Sequence, residues 1–167
     1  GDNTVIDIIY EKYILNTQYS TLYNTDKKPI KSAILKGQTL VNLVGEKRLY
    51  TLKQTISLRG WEFMLPYNLT KGKTYLAVFN TIGTVSSTNA KVFLMDNGFG
   101  SNTGNTTQSA NFKAGYNIVK CVATGNNHRV LRIRTQVEAS SDFDVSDVML
   151  MEYQDGMENW DIPYFEG

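Results

Sequence analysis

The sequence predicts an all-β fold, a two-sheet antiparallel β-sandwich, and three observations carry that reading. Short apolar or alternating runs recur along the chain, Gly, Asn, Ser and Thr interrupt them at close intervals, and ten such runs supply enough strands for two stacked layers. The composition agrees. Of 167 residues, 41% are hydrophobic and 20% charged, which suffices for one buried core and leaves too little excess charge to keep the chain open.

Taken in order, Val5 to Leu15 places apolar residues at 5, 6, 8, 9, 13 and 14 with acids at 7 and 11. That spacing fits a short N-terminal amphipathic helix at least as well as a strand. Asn16 to Lys31 is rich in Thr, Tyr, Asn and Lys and reads as a connector, so residues 1–31 form a lead-in and residues 32–167 the sandwich domain. The expected strands are Ser32 to Leu35, Thr39 to Val44, Leu49 to Leu58, Glu62 to Leu65, Thr74 to Thr81, Ala90 to Asp96, Ser109 to Lys113, Tyr116 to Ala123, Arg129 to Val137 and Val145 to Glu152.

Alternation assigns faces. Trp61, Phe63 and Leu65 share one side of their run, most simply the core side. Leu131, Ile133 and Thr135 oppose Arg132, Arg134 and Gln136, which predicts a wet outer face bearing the two arginines. Turns are expected at Lys71-Gly72-Lys73, Asp96-Asn97-Gly98, Ala114-Gly115 and Gly125-Asn126-Asn127, where Gly and Asn accept positive φ. Gly98 to Gln108 is a polar Gly/Asn/Thr loop of a length that commonly carries function.

Charge and motifs exclude several function classes. A formal net charge of +1 gives no field to gather phosphate backbones, so nucleic acid is not an expected partner. No run of about 18 apolar residues is present for a membrane span, and GDNTVIDIIY lacks the basic start of a secretory signal. One cysteine and one histidine, far apart, do not make a zinc site. Cys121 lies in an apolar run and reads as a small buried hydrophobe. His128 falls in a turn and reads as exposed; no GxSxG elbow accompanies it, and neither GK[ST] nor GxGxxG occurs. Asp142, Asp144 and Asp147 could in principle supply a carboxylate pair for glycoside hydrolysis, but they read more simply as solvated acids that discourage edge aggregation.

The aromatic residues are the more informative group. Ten Tyr, seven Phe and two Trp include several beside turns: Trp61 after Gly60, Tyr67 after Pro66, Phe99 within the Gly-rich loop, and Trp160, Tyr164 and Phe165 in the tail. Aromatic faces pack against the C–H patches of sugar rings, and neighbouring Asn, Gln, Asp or Arg side chains hold the hydroxyls.

Three stretches carry a resemblance. Lys36-Gly37-Gln38-Thr39-Leu40-Val41-Asn42 fits KGxTxxN, Gly72-Lys73-Thr74-Tyr75 fits GKxY, and Asp147-Val148-Met149-Leu150-Met151-Glu152 leads into Pro163-Tyr164-Phe165-Glu166-Gly167. Over residues 31–167 the chain resembles modules of tail and baseplate proteins of phages and prophages of Gram-positive bacteria, jelly-roll domains similar to carbohydrate-binding modules. Tyr153 stands where that pattern has glycine. The resemblance implies a jelly roll and a non-catalytic virion protein, made in the bacterial cytoplasm, that binds host cell-wall polysaccharide beside other tail proteins. It also implies a tail that straps across the sandwich on the way to a further module, and Asp147 as a ligand of a structural calcium. Glycan contact is assigned to Phe99, Asn97, Asn102, Arg132 and Arg134. The alternative is a purely structural module of a tail fibre or baseplate, a homotrimer with Val5 to Leu15 as its coil and no ligand.

Overall fold

The computed structural model describes residues 13–16, 21–24, 32–45, 47–50, 60–85, 90–96, 106–135 and 142–166. The strands are β1 (Tyr13–Asn16), β2 (Thr21–Asn24), β3 (Ser32–Leu35), β4 (Gln38–Val41), β5 (Lys47–Tyr50), β6 (Gly60–Met64), β7 (Thr74–Thr84), β8 (Ala90–Asp96), β9 (Thr106–Asn111), β10 (Gly115–Val122), β11 (His128–Thr135) and β12 (Asp142–Glu152). One 3₁₀ turn follows, Met157–Asn159. None of the described helices is long and apolar enough to cross a membrane.

Two sheets form the sandwich, one of five strands in the order β5-β6-β11-β8-β9 and one of three in the order β10-β7-β12. Every pairing within them is antiparallel. β8 pairs with β9, β7 with β10 and β6 with β11, so the pairs nest like the two arms of one long hairpin. Rolled so that successive pairs alternate between layers, that hairpin is a jelly roll. β1–β2 and β3–β4 are separate hairpins.

β7 explains the layering. Tyr75-Leu76-Ala77-Val78-Phe79 is buried at every position, a continuous apolar run of the kind found in strands covered on both faces. Tyr75, Ala77 and Phe79 face the five-stranded sheet and meet Trp61, Phe63, Val92, Leu94, Leu131 and Ile133 in the main core, which also takes in Cys121. Leu76 and Val78 face the other way, with Met149 and Met151, into a second core roofed by Ala33, Leu35 and Leu40 of the β3–β4 hairpin and by Met157, Ile162 and Phe165 of the C-terminal segment. The tail therefore straps the outer face of the three-stranded sheet, as its aromatic sequence implied.

Two local features set these layers in register. Lys36 and Gly37 both have positive φ, 50° and 75°, and join Leu35 to its partner Gln38 in the two-residue mirror turn that matches strand twist. In β12, Asp147 has φ 52° and sits in a bulge, where Asp147 and Val148 together stand opposite Phe79. The extra residue changes the alternation, so Phe143 and Val145 before it and Val148 and Leu150 after it all face the main core.

Two of the stretches that carry the resemblance hold one another. Asn42, which closes KGxTxxN, donates from Nδ2 to the carbonyls of Val148 (3.3 Å) and Phe165 (3.0 Å). Its Oδ1 accepts from the backbone N–H groups of Val44 (3.0 Å) and Leu150 (3.1 Å). One buried amide thus spends its whole hydrogen-bonding capacity tying the segment after β4 to the bulged strand and the strap. Tyr75 of GKxY accepts at its hydroxyl from the N–H of Thr70, 2.9 Å away, and closes the turn before β7. A second clasp holds the strap from β10. Lys120 Nζ pairs with Glu158 (2.9 Å) and lies 4.4 Å from the centre of the Tyr153 ring, whose hydroxyl donates to the same carboxylate at 2.5 Å. Tyr153 is thus part of this clasp.

Candidate functional site

Phe99, Asn97 and Asn102, the loop residues assigned to glycan, lie outside the described residues. The two arginines assigned with them are described, and Arg132 corrects the expectation of a wet face. It is 1% exposed; its Nε donates to Glu62 Oε1 at 2.7 Å and its Nη2 lies 2.5 Å from the same oxygen. Alternation does turn Arg132 away from the inter-sheet core, but its neighbours on that outer face, Phe93, Met95 and Val130, are buried as well. A guanidinium there needs a counter-charge, and Glu62, directly across from it on β6, supplies one. Arg132 is a structural ion pair and presents no surface to a sugar. Arg134 is half-buried and lies 4.8 Å from the centre of the Phe93 ring.

His128 is likewise fully buried, against the expectation of a solvent-exposed turn residue. It begins β11 opposite Asp96 and bonds that carboxylate through Nδ1 at 2.8 Å, while Nε2 lies 3.2 Å from Thr124 Oγ1. The order acid, imidazole, hydroxyl is that of a nucleophile relay. A relay also needs a cleft and an oxyanion site around the hydroxyl; neither cleft described below includes Thr124. The three side chains pin the turn between β10 and β11 to the end of β8. Trp61, by contrast, lies in the main core as its alternation predicts, with Lys47 4.3 Å from its ring centre.

Asp144 is exposed, bonds the N–H of Val145 at 2.7 Å and stands 3.8 Å from Lys47. Asp147 is half-buried, and desolvation raises its carboxyl above the usual range. No group of three or more His, Cys, Asp or Glu side chains converges on a cation position among the described residues.

Two open clefts lie among the described residues. One, about 360 Å³, runs beside the turn into β10, and both of its amides are engaged: Asn111 Oδ1 accepts from Lys91, while Asn117 Oδ1 accepts from Lys113 N and its Nδ2 donates to the carbonyls of Lys113 and Gly115. The other, about 210 Å³, lies between β4 and the end of β12. Leu40, Leu43 and Met151 form its floor, and Thr39, Glu152 and Gln154 bring oxygen and amide groups to it. Tyr67, 51% exposed, stands at its rim with Val41. Desolvation and the nearby Glu152 carboxylate push the Tyr67 phenol above its ordinary range. Lys73 closes on Glu152 at 2.8 Å, so the local charge is paired.

This arrangement offers an aromatic face, an apolar floor, neutral hydrogen-bonding groups at Thr39 and Gln154 and a carboxylate already matched by Lys73, which suits binding of an uncharged polar molecule. The position of Tyr67 beside a Pro turn was the one sign of it in the sequence; Thr39, Glu152 and Gln154 arrive from distant strands. Compared with protein-family models and with curated proteins, the chain matches none.

Proposed function

We propose that this chain is a non-catalytic module of a phage or prophage tail or baseplate that binds glycans of a Gram-positive cell wall. The observation that carries the reading is the cleft at Tyr67, where a half-exposed aromatic ring stands beside Thr39, Glu152 and Gln154 on a rigid two-sheet frame. Stacking on an aromatic face together with a few hydrogen bonds is sufficient for weak saccharide binding. Many copies on one virion would raise that weak affinity through effective concentration. The three stretches behind the family resemblance support it at the level of framework, since Asn42 links two of them and Tyr75 closes the turn of the third.

The test is co-sedimentation of the purified chain with Gram-positive cell walls, with soluble wall polysaccharide as competitor. Saturable binding that the polysaccharide displaces is the expected result. A blank result across walls of several species, together with a stable trimer by light scattering, would replace glycan binding with a structural role in a fibre or baseplate. Release of reducing sugar from the walls would overturn the non-catalytic assignment.

A further inference from the structure

The cleft's lining narrows the class of sugar. Its floor is Leu40, Leu43 and Met151, each 5% exposed or less, and its hydrogen-bonding side chains besides the Tyr67 hydroxyl are Thr39, Glu152 and Gln154. A plain hexose carries hydroxyls around its ring, and one turned onto that floor would lose water without gaining a partner. An acetamido substituent is different: its methyl suits the floor, and its N–H and C=O suit a carboxylate and an amide side chain. The volume, about 210 Å³, is below the roughly 300 Å³ at which pockets for drug-sized ligands begin, so one ring is the natural occupant. Charge points the same way. Glu152 is already paired with Lys73 at 2.8 Å, and the described lining of the cleft includes no Lys or Arg to attract a phosphate or a sugar acid.

We propose that this cleft is a single-ring subsite for a neutral N-acetylated hexosamine. The sugar stacks on Tyr67, its acetamido methyl lies over Leu40, Leu43 and Met151, and Gln154 and Glu152 bond the amide. The assignment rests on the glycan-binding reading and makes it specific to one site and one substituent.

The experiment is a titration of the full chain, followed by amide NMR, with N-acetylglucosamine, glucose and glucosamine in parallel. Concentrations run to about 100 mM, above the millimolar Kd expected of a one-ring site. Saturable shifts at Thr39, Val41, Tyr67 and Gln154 are expected with N-acetylglucosamine, and binding of the other two sugars at least about tenfold weaker. Tyr67→Ala should abolish the shifts while leaving the melting temperature within a few degrees of wild type, because the ring is half-exposed. Tyr67→Phe should retain them. Equal binding of glucose overturns the selectivity, and shifts that map elsewhere, or none, overturn the site. If wild type and Tyr67→Ala sediment equally with cell walls, the subsite is wrong while glycan binding stands. If wild type does not sediment at all, the broader reading fails independently of the titration.

Discussion

Replacing Arg132 by methionine removes a guanidinium from a position that is 1% exposed and takes a close ion-pair partner from the carboxylate of Glu62, at 0% exposure. Methionine keeps most of the side-chain length, so the change is chiefly one of charge. Breaking a buried pair from one side costs about 3–5 kcal/mol, because the stranded ion keeps its desolvation penalty. Against a total stability of about 5–15 kcal/mol for a domain, that is a large fraction. At about 2–4 °C per kcal/mol for a chain of this size, the melting temperature should fall by roughly 6–20 °C. Removing both charges in Arg132→Met with Glu62→Leu should recover most of the loss, since an apolar pair of similar volume carries no such penalty. Equilibrium urea unfolding of wild type, both single variants and the double variant completes a double-mutant cycle, with Trp61 in the core as the fluorescent reporter. A single-variant loss under about 1 kcal/mol, or a double variant as unstable as the sum of the singles, would refute the reasoning. Either result would mean that Arg132 is not what stabilises the buried carboxylate of Glu62.

Further outcomes follow from the clasps and the bulge. Asn42→Ala removes four hydrogen bonds to backbone groups, and at about 1 kcal/mol each, less where water reaches a freed group, a loss of about 2–4 kcal/mol is expected in urea unfolding. The same variant should be cut faster by protease within residues 157–166. Glu158 is held at about 2, below its usual 4.5, chiefly by the Tyr153 hydroxyl and then by Lys120. Its contribution is therefore present above pH 4.5 and lost as pH falls toward 2, so hydrogen exchange of the strap should accelerate across that interval in wild type and show no such step in Glu158→Gln. Asp147 has the opposite sign. Its carboxyl is raised above 3.8 by desolvation, so the folded state is favoured while the group is protonated and loses that advantage as pH rises through the folded value. Asp147→Asn, which also tolerates positive φ, should match wild type near about pH 3 and exceed it in stability at about pH 7.

Much of the frame was legible. Ser32–Leu35 and Ala90–Asp96 run with the bounds their short apolar runs predict, and the two-sheet sandwich follows from the spacing of such runs. The strand of Tyr75 to Phe79 was equally clear, but its role as a layer covered on both sides was not, because an unbroken apolar run does not say what lies on each face. The hairpin of Tyr13–Asn16 and Thr21–Asn24 falls across what read as the end of an ambiguous segment and a connector, since its strands are only four residues long and Thr21–Asn24 is largely polar. Arg132 and His128 were misplaced by different routes to the same end. Period-two reasoning separates the faces of a strand but cannot tell whether the outer face of Arg132 is itself covered, and a turn position does not show that His128 opens a strand; each residue is buried beside a charge brought from another strand, Glu62 or Asp96. Apart from the position of Tyr67, the cleft was illegible for the complementary reason, as it draws three lining residues from β4, Leu43 from the segment after it, Tyr67 from a loop and the others from the end of β12 and just beyond.

The bulge at Asp147 also constrains how this chain can change length. Deleting that single residue would restore strict alternation through β12 and rotate everything on one side of the deletion by half a turn. Phe143 would then leave its contact with Phe112, whose ring centre is 5.4 Å away, and Asp144 and Ser146 would take the inward places. A substitution at position 147 disturbs one backbone angle, whereas a frame-preserving codon loss there exchanges a strand's interior for its exterior. Insertions and deletions should therefore be confined to the connections between strands, with this strand fixed in its residue count even where its residues vary.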